Sequence, residues 1–361
     1  MDRKYRVGVI GATGYVGQRF VTLLEEHPWF SCVAVAASSR SAGKKYEDAV
    51  KDRWKLEIPM PDSVKNLRVS GLDELEDITK DLDFVFSAVD MKKEEILTFE
   101  EKIAKLDIPV ISNNSAHRWT PDVPMMIPEI NDDHALLIDA QRKRLGTKRG
   151  FIAVKPNCSI QSYVPAISPF MLFEPIKINV CTYQAISGAS KTFQDWPEMT
   201  ENIIPFIGGE EEKSEKEPLK VWGTYRGDHI EPAALPVISA QCYRVAVQEG
   251  HLAAVSVSFK RKPSISEMIE RWESYEGSPQ QRKLPSAPGR FLRYLHENDR
   301  PQPRLDAGFE RGMGVTIARL REDSLFDYKF ACLSHNTLRG AAGGAVLTAE
   351  LLADKGYITK E

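Results

Sequence analysis

The stretch VIGATGYVG, residues 9–17, decides the fold because it joins an apolar strand directly to an amphipathic helix. Residues 5–10 are apolar enough for a buried strand, and residues 14–26 have helical periodicity. A tight glycine turn at such a junction lets backbone N–H groups and the helix N-terminus face a pyrophosphate. The spacing is GxxGxxG rather than GxGxxG, but its position between strand and helix favours dinucleotide binding over a purely structural turn.

The end of the second apolar run indicates which dinucleotide is bound. A site for NAD usually has Asp or Glu there, which holds the ribose 2′-hydroxyl. Here residues 33–37 lead into Ser38, Ser39 and Arg40, with no carboxylate to repel a 2′-phosphate. A guanidinium and hydroxyls favour binding one, so the sequence predicts NADP(H). The alternative is a polar turn with a solvated arginine.

Apolar runs and helical patterns alternate through the first part of the chain. Further strands are predicted at 32–37, 84–89, 110–111 and 151–154, and a helix at 93–105. Strands that alternate with helices are typical of βαβ units and a parallel sheet. The predicted fold class is therefore α/β, with an N-terminal Rossmann-like sheet.

The second part of the chain has a different pattern. Longer strands with alternating character are predicted at 177–185, 238–247 and 252–260. A charged segment, GGEEEKSEKEPLKVWG, lies between the first two, and residues 276–306 look like surface loops around short elements. A helix is predicted at about 338–352. These patterns divide the chain into an NADP-binding domain, residues 1–157 plus 336–361, and an α+β catalytic and oligomerisation domain, residues 158–335.

Composition excludes several other classes of protein. The formal net charge is −3 among 361 residues, so no global basic field attracts nucleic acid or an anionic membrane. The five cysteines are odd in number and form no CxxC pair, which argues against a disulfide framework or a zinc site. We see no signal peptide and no apolar run long enough to span a membrane. We therefore expect a cytoplasmic protein without a metal.

The sequence KPNCSIQ, residues 155–161, contains the candidate nucleophile, Cys158. This cysteine follows a predicted strand and begins a helix-like stretch that Pro165 and Pro169 would confine. A helix N-terminus favours thiolate, so a lowered pKa is expected for Cys158. The other four cysteines lie in apolar or strand-like segments, where a buried, inert thiol is the better interpretation.

A thiolate nucleophile needs a group that handles protons. Arg244 and His251 bracket a short turn between two predicted strands, which would deliver a guanidinium and an imidazole to one cleft. The simpler alternative is a hairpin with two unrelated polar side chains. His117, His229 and His335 are the rival histidines.

The sequence around these residues resembles aspartate-semialdehyde dehydrogenase of the type found in archaea and fungi. Seven blocks carry the resemblance, in the family's order and over nearly the whole chain. They are GATGYVGQRF, SNNSAHRW, KPNCSIQ, TYQAISGAS, IPFIGGEEEK, the segment from Arg244 to His251, and HNTLRGAAGG.

The resemblance implies a role for each matching residue. Cys158 is the nucleophile, His251 the acid/base, and Gln184 positions the acyl group. Arg244 would bind the substrate α-carboxylate and Glu210 its α-ammonium group. Phosphate would be bound by Arg118, Lys213 and Asn113. NADP(H) would be contacted by Thr13, Gly14, Tyr15, Val16, Ser38, Ser39, Arg40, Ser87, Ser187, Gly188 and Asn336.

The alignment of residues 210–212 with the family is ambiguous within this assignment. Residues 210–212 are three adjacent glutamates, so the resemblance alone does not decide which of them meets the substrate. Composition alone favours a solvated run of charges here.

The implied reaction is reduction of L-aspartyl 4-phosphate to L-aspartate 4-semialdehyde by NADPH, with release of phosphate, through a Cys158 thioester. This is a step toward lysine, threonine, methionine and isoleucine. The family also implies a homodimer or homotetramer. Alternatives are malonyl-CoA reductase, N-acetyl-glutamyl-phosphate reductase and, from another class, a non-catalytic NADP-binding regulator. Cys158, His251, Arg244 and Gln184 together argue against the regulator.

Overall fold

Residues 3–360 are described by the computed structural model, and they form two large sheets and one small one. The first sheet has six parallel strands in the order β3-β2-β1-β4-β5-β6. Its strands are β1 (Tyr5–Ile10), β2 (Phe30–Ala37), β3 (Val69–Gly71), β4 (Phe84–Ser87), β5 (Val110–Ser112) and β6 (Ile152–Val154). The predicted Rossmann-like sheet is confirmed.

The helices of the first sheet pack against its two faces. They are α1 (Tyr15–Leu24), α2 (Tyr46–Val50), α3 (Asp62–Lys65), α4 (Leu75–Thr79), α5 (Lys93–Lys105) and α6 (Leu137–Leu145). The helices predicted at 14–26 and 93–105 correspond to α1 and α5. The strand β3 was not predicted, because three residues are too few to show a period.

The second sheet has seven strands in the order β13-β14-β15-β12-β7-β11-β8. Its strands are β7 (Pro175–Gln184), β8 (Ile203–Ile204), β11 (Val237–Val245), β12 (His251–Phe259), β13 (Leu292–Leu295), β14 (Val315–Glu322) and β15 (Tyr328–Ser334). The pairs β11–β7 and β13–β14 are parallel and the others antiparallel. A separate hairpin is formed by β9 (Thr224–Tyr225) and β10 (Ile230–Glu231).

The remaining helices are α7 (Ile160–Ile167), α8 (Glu210–Val221), α9 (Ile265–Glu273), α10 (Ser278–Gln281), α11 (Pro303–Asp306) and α12 (Ala342–Asp354). Of these, α7, α8 and α9 pack on strands of the second sheet. The helix α12 packs on α1 and β5, as predicted. No helix within residues 3–360 is long and apolar enough to cross a membrane.

The charged segment at 208–223 is not a solvated run of charges. It forms the helix α8, which packs on β11 and buries Glu210, Ser214, Glu217 and Val221. Residues 210, 214, 217 and 221 recur at helical spacing, so they share one face. Glu212 and Lys216 lie on the exposed side.

A continuous apolar core joins the two sheets. It contains Val85 and Val110 of the first sheet as well as Val180 and Val255 of the second. Because interiors are close-packed, such a core holds the carboxyl end of the first sheet against the second sheet. The site described below lies at this junction.

Candidate active site

The glycine-rich turn has the geometry that a dinucleotide requires. Gly11 has φ +85°, and a Cβ there would lie 2.2 Å from the Ala88 carbonyl oxygen. A Cβ on Gly17 would lie 2.1 Å from the Gly11 carbonyl oxygen. Gly14 precedes α1 without a side-chain cap, so the helix N-terminus is open to an anion. These observations fit a bound pyrophosphate.

Most of the other predicted cofactor residues lie near this turn or at the junction of the two sheets. Ser38, Ser39 and Arg40 are exposed directly after β2. Ser87 is the buried last residue of β4. Ser187 is buried too, and its Oγ accepts a hydrogen bond of 2.8 Å from Asn336 Nδ2.

Cys158 lies between β6 and α7, and its Sγ is 3.4 Å from His251 Nε2. The two residues are 93 positions apart in the chain, so the fold brings together the pair that the sequence predicted. A thiol and an imidazole at this distance have the mutual geometry of a nucleophile and its proton partner.

The backbone determines which nitrogen of His251 carries the proton. The Ala185 N–H donates to His251 Nδ1 over 3.1 Å, so Nδ1 must be an acceptor. In the neutral ring the proton therefore lies on Nε2 and faces the Cys158 sulfur. Burial lowers the pKa of His251 well below its usual range, and the Arg244 charge adds to this effect. His251 is thus a neutral hydrogen-bond donor to the sulfur.

Strand register explains how Gln184, Arg244 and His251 meet. Arg244 lies opposite Gln184 in the parallel pair β11–β7, and Leu252 lies opposite Tyr183 in the antiparallel pair β12–β7. The strands β11 and β12 therefore flank β7, and the interpretation of the Arg244–His251 segment as a simple hairpin is wrong. All three residues therefore lie at the same end of these three neighbouring strands.

Ala185 holds two of these side chains through its backbone. Its carbonyl accepts a 2.7 Å hydrogen bond from Arg244 Nη1, while its N–H binds His251. Space for both comes from Gly188, where a Cβ would lie 2.9 Å from Arg244 Nη1 and 3.1 Å from His251 Nε2.

Glu210 is the glutamate of α8 that faces this site. Its carboxylate accepts hydrogen bonds from Asn157 Nδ2 at 3.0 Å, Lys213 Nζ at 2.9 Å and Gln184 Nε2 at 3.3 Å. Glu210 is buried, Glu211 is half-buried and Glu212 is exposed. The geometry therefore favours the register in which Glu210 and Lys213 belong to the site.

Glu217 is a site residue that the sequence analysis missed. Its carboxylate accepts hydrogen bonds from Arg118 Nη1 at 2.8 Å and from the Asn157 backbone N–H at 2.6 Å. It is 1% exposed, and its bond to Asn157 ties it to the residue directly before Cys158. Its separation of seven positions from Glu210, two turns on the same helix face, was the available signal.

Asn113 is the predicted phosphate residue that the structure does not connect to this network. It follows β5, is half-buried, and its backbone N–H donates to the Ser87 carbonyl oxygen at 2.9 Å. It therefore lies on the cofactor side of the junction.

The expected lowering of the Cys158 pKa is wrong for this structure. Burial raises the pKa of the Cys158 thiol to about 11, and the charge of Glu210 adds to the rise. The charges of Lys155, Arg244 and Arg118 oppose the rise without cancelling it. Removing a thiolate from water at this position costs more than the three nearby positive charges restore.

The raised pKa predicts how the free protein reacts with iodoacetamide. Only the thiolate reacts, so the alkylation rate of Cys158 is expected to rise about tenfold per pH unit from about pH 7 to about pH 9. Peptide mapping by mass spectrometry at each pH measures this rate. Glutathione added to the same sample is the reference thiol. A rate that is already constant at about pH 7 contradicts the raised pKa.

Within residues 3–360, no cluster of three or more His, Cys, Asp or Glu side chains is arranged to hold a metal ion. The chemistry available to the described site consists of a thiol, a neutral imidazole and several charged side chains.

Fold and site together define a class: an oxidoreductase with a dinucleotide turn and a cysteine–histidine pair. Comparison with known proteins gives the family. Residues 6–138 match the family "Semialdehyde dehydrogenase, NAD binding domain", and residues 167–339 match "Semialdehyde dehydrogenase, dimerisation domain". The chain belongs to the aspartate-semialdehyde dehydrogenase family.

Relatives from archaea and fungi share nearly the full length of the chain. The aspartate-semialdehyde dehydrogenase of Archaeoglobus fulgidus is 42% identical over 351 residues, 97% of this chain and 98% of the relative. That of Saccharomyces cerevisiae is 39% identical over 372 residues, 99% and 100% of the two chains. The crystal structure of the Candida albicans enzyme with NADP has a TM-score of 0.89 and 36% identity, covering 99% of this chain and 100% of that one.

Proposed function

We propose that this chain catalyses the NADPH-dependent reduction of L-aspartyl 4-phosphate to L-aspartate 4-semialdehyde, with release of phosphate. The observation that carries the proposal is the Cys158–His251 pair, 3.4 Å apart, between the side chains of Arg244 and Glu210. The names of the relatives and the NADP in the Candida albicans structure support it.

The charges around Cys158 complement each end of this substrate. The planar guanidinium of Arg244 suits the α-carboxylate, and the carboxylate of Glu210 suits the α-ammonium group. Arg118 uses Nε on the Lys155 carbonyl and Nη1 on Glu217, so its remaining amino group is directed to phosphate in this proposal. Malonyl-CoA and N-acetyl-glutamyl phosphate lack the free ammonium group that Glu210 would bind.

The covalent steps involve Cys158 and His251. The Cys158 sulfur attacks the acyl carbon while its proton passes to the departing phosphate oxygen. The carbon–sulfur bond forms and the bond between the acyl carbon and the phosphate oxygen breaks, which leaves a thioester and hydrogen phosphate. When bound, NADPH would supply hydride to the thioester carbon. The carbon–sulfur bond then breaks, the departing thiolate accepts the hydrogen bond from His251 Nε2, and a proton from solvent restores the thiol. Because Ala185 fixes the tautomer, this donor is in place before sulfur becomes charged.

Replacing Arg40 by alanine tests the cofactor part of the proposal. One charged hydrogen bond to the 2′-phosphate is worth about 1.5–3 kcal/mol, so KM for NADP+ is expected to rise about 10- to 100-fold. The KM for NAD+ should stay the same. Arg68→Ala is the matched control, since Arg68 is an exposed arginine directly before β3 that pairs with Glu74. An unchanged KM for NADP+ contradicts the assignment of Arg40.

The second sheet supports a proposal about assembly. Residues 167–339 match a dimerisation domain, and one face of this sheet is exposed at Lys177, Asn179, Ser239 and Gln241. Val237 at the edge of that face is 64% exposed. We place a second copy of the chain on this face, in a homodimer or a tetramer built from it. Light scattering that finds only monomer at micromolar concentration contradicts this assembly.

The proposal includes two domains and a cellular location for the protein. Residues 1–157 with 336–361 form the NADP-binding domain, and 158–335 form the catalytic and oligomerisation domain. A cytoplasmic location is supported by the five cysteines, all of which are free thiols.

The reaction is tested by following NADPH formation from NADP+ and L-aspartate 4-semialdehyde, with and without inorganic phosphate. The proposal predicts formation that requires phosphate. Turnover that is independent of phosphate, or is seen only in a parallel assay of malonyl-CoA reduction with NADPH, contradicts it.

A further inference from the structure

Glu249 is a partly buried carboxylate at the junction of the two sheets that the reaction described above does not use. It lies in the crossover between β11 and β12, two residues before His251. Its side chain is 21% exposed. Gly250, between the two, has φ +100°, a conformation that fixes the path of the chain at this point.

One side of the Glu249 carboxylate is bound by the helix of the glycine-rich turn. Tyr15 Oη donates to Glu249 Oε1 at 2.8 Å, and Arg19 Nη2 lies 2.8 Å from the same oxygen. Tyr15 is the first residue of α1 and follows the predicted pyrophosphate turn directly. Glu249 therefore joins the catalytic crossover to the element that faces the cofactor.

The other side of the carboxylate is bound by the segment that follows β15. His335 Nε2 lies 2.5 Å from Glu249 Oε2, and Thr337 Oγ1 donates to the carboxylate at 3.4 Å. Between these residues, Asn336 Oδ1 accepts the Gly250 N–H at 2.8 Å. Three separate segments of the chain thus meet at the two residues before His251.

From this convergence we propose that Glu249 is a positioning residue: its negative charge ties the cofactor turn to the crossover and thereby holds His251 against Cys158. The inference rests on the proposed function, because it assigns His251 to the same reaction. A misplacement of about 1 Å from a mutation outside the reacting groups can cost about 10²-fold in rate.

The charge of Glu249 persists throughout the pH range of an enzyme assay. Burial alone would raise the pKa of Glu249, but the hydrogen bond and charge of His335, together with Arg19 and Tyr15, lower it to about 2. A carboxyl group with a lowered pKa stays ionised above its usual value of about 4 and becomes neutral only as the pH falls toward about 2. The carboxylate of Glu249 is therefore expected to stay charged at neutral and alkaline pH.

The test replaces Glu249 by glutamine, which keeps the shape and removes the charge. We expect kcat for phosphate-dependent NADP+ reduction to fall about 10- to 100-fold, with the KM for L-aspartate 4-semialdehyde within about threefold of wild type. The alkylation rate of Cys158 at a given pH should fall, because His251 no longer donates to the thiolate from a fixed position. Glu249→Asp, which keeps the charge, should recover part of kcat.

A double-mutant cycle with Arg19→Gln adds a direct measure of coupling. Residues that act through one contact have non-additive effects on the free energy. The kcat of the double variant, relative to wild type, should therefore lie well above the product of the relative kcat values of the two single variants. Asp354→Asn is the matched control. Asp354 forms an ion pair with Arg282, which also joins the two parts of the chain but lies far from His251 in the sequence. Removing this ion pair should leave kcat unchanged.

The results separate this inference from the proposed function. If wild type has no phosphate-dependent activity with semialdehyde, the proposed function fails. If wild type is active, a kcat of Glu249→Gln within about twofold of wild type overturns the inference, because no interaction specific to the reaction was lost. A lower melting temperature with an unchanged Cys158 alkylation profile also overturns it, since Glu249 would then be structural only.

Discussion

Replacing Cys158 by serine is expected to abolish phosphate-dependent NADPH formation, with kcat falling by about 10⁴-fold or more. Serine keeps the size of the side chain but is a far weaker nucleophile than a thiol near neutral pH. The His251 donor, 3.4 Å from the sulfur, is placed to stabilise a thiolate and does not have the free Nε2 lone pair that would activate a hydroxyl. Steady-state assays of purified variants measure the loss.

The matched control is Cys181→Ser. Cys181 is a half-buried cysteine on β7, and its side chain lies on the face opposite to Gln184 because neighbours alternate along a strand. Its activity should remain within about twofold of wild type. Substantial activity of Cys158→Ser, together with the normal fold by circular dichroism, contradicts the assignment of the nucleophile.

Replacing Arg244 by lysine is expected to lower kcat/KM for L-aspartate 4-semialdehyde about 30-fold, mostly through a higher KM. Lysine keeps the positive charge but cannot form the two parallel hydrogen bonds that a guanidinium makes with a carboxylate. The loss of one charged hydrogen bond is worth about 2 kcal/mol. The Arg244 bond to the Ala185 carbonyl would be lost too, which loosens the backbone that fixes the His251 tautomer.

A substrate series makes this prediction specific to the carboxylate. Wild type and Arg244→Lys should differ little with an aldehyde that lacks the α-carboxylate, because that aldehyde offers Arg244 no partner. Arg290→Lys is the control, since Arg290 pairs with Glu273 on the surface and should show no effect. Equal losses with both aldehydes would assign Arg244 a structural role only.

Periodicity predicted the elements that are long or regular. The strand at 5–10 and the helix at 93–105 have the predicted bounds, because each shows several repeats of its period. The three-residue strand β3 shows none. The buried face of α8 was not predicted, because the many charges of this segment suggest a solvated helix or loop. Only the packing of α8 on β11 shows which of these charges are buried.

The candidate site was predicted as a set of residues rather than as a geometry. Cys158, His251, Arg244 and Gln184 come together as the family resemblance implies. The sequence did not indicate Glu217 and Glu249, because their partners lie between 60 and 234 positions away in the sequence. It also predicted the wrong direction for the Cys158 pKa, since the cost of burial depends on tertiary structure.

The central claim is that Cys158 forms an acyl thioester, and mass spectrometry of the protein tests it most directly. The purified chain is mixed with freshly prepared L-aspartyl 4-phosphate in the absence of NADPH, quenched in acid, and digested for peptide mapping. The account predicts one acyl group, on the peptide that contains Cys158, which disappears when NADPH is added as L-aspartate 4-semialdehyde forms. An unmodified Cys158 peptide during active turnover, or an acyl group on another residue, would contradict it.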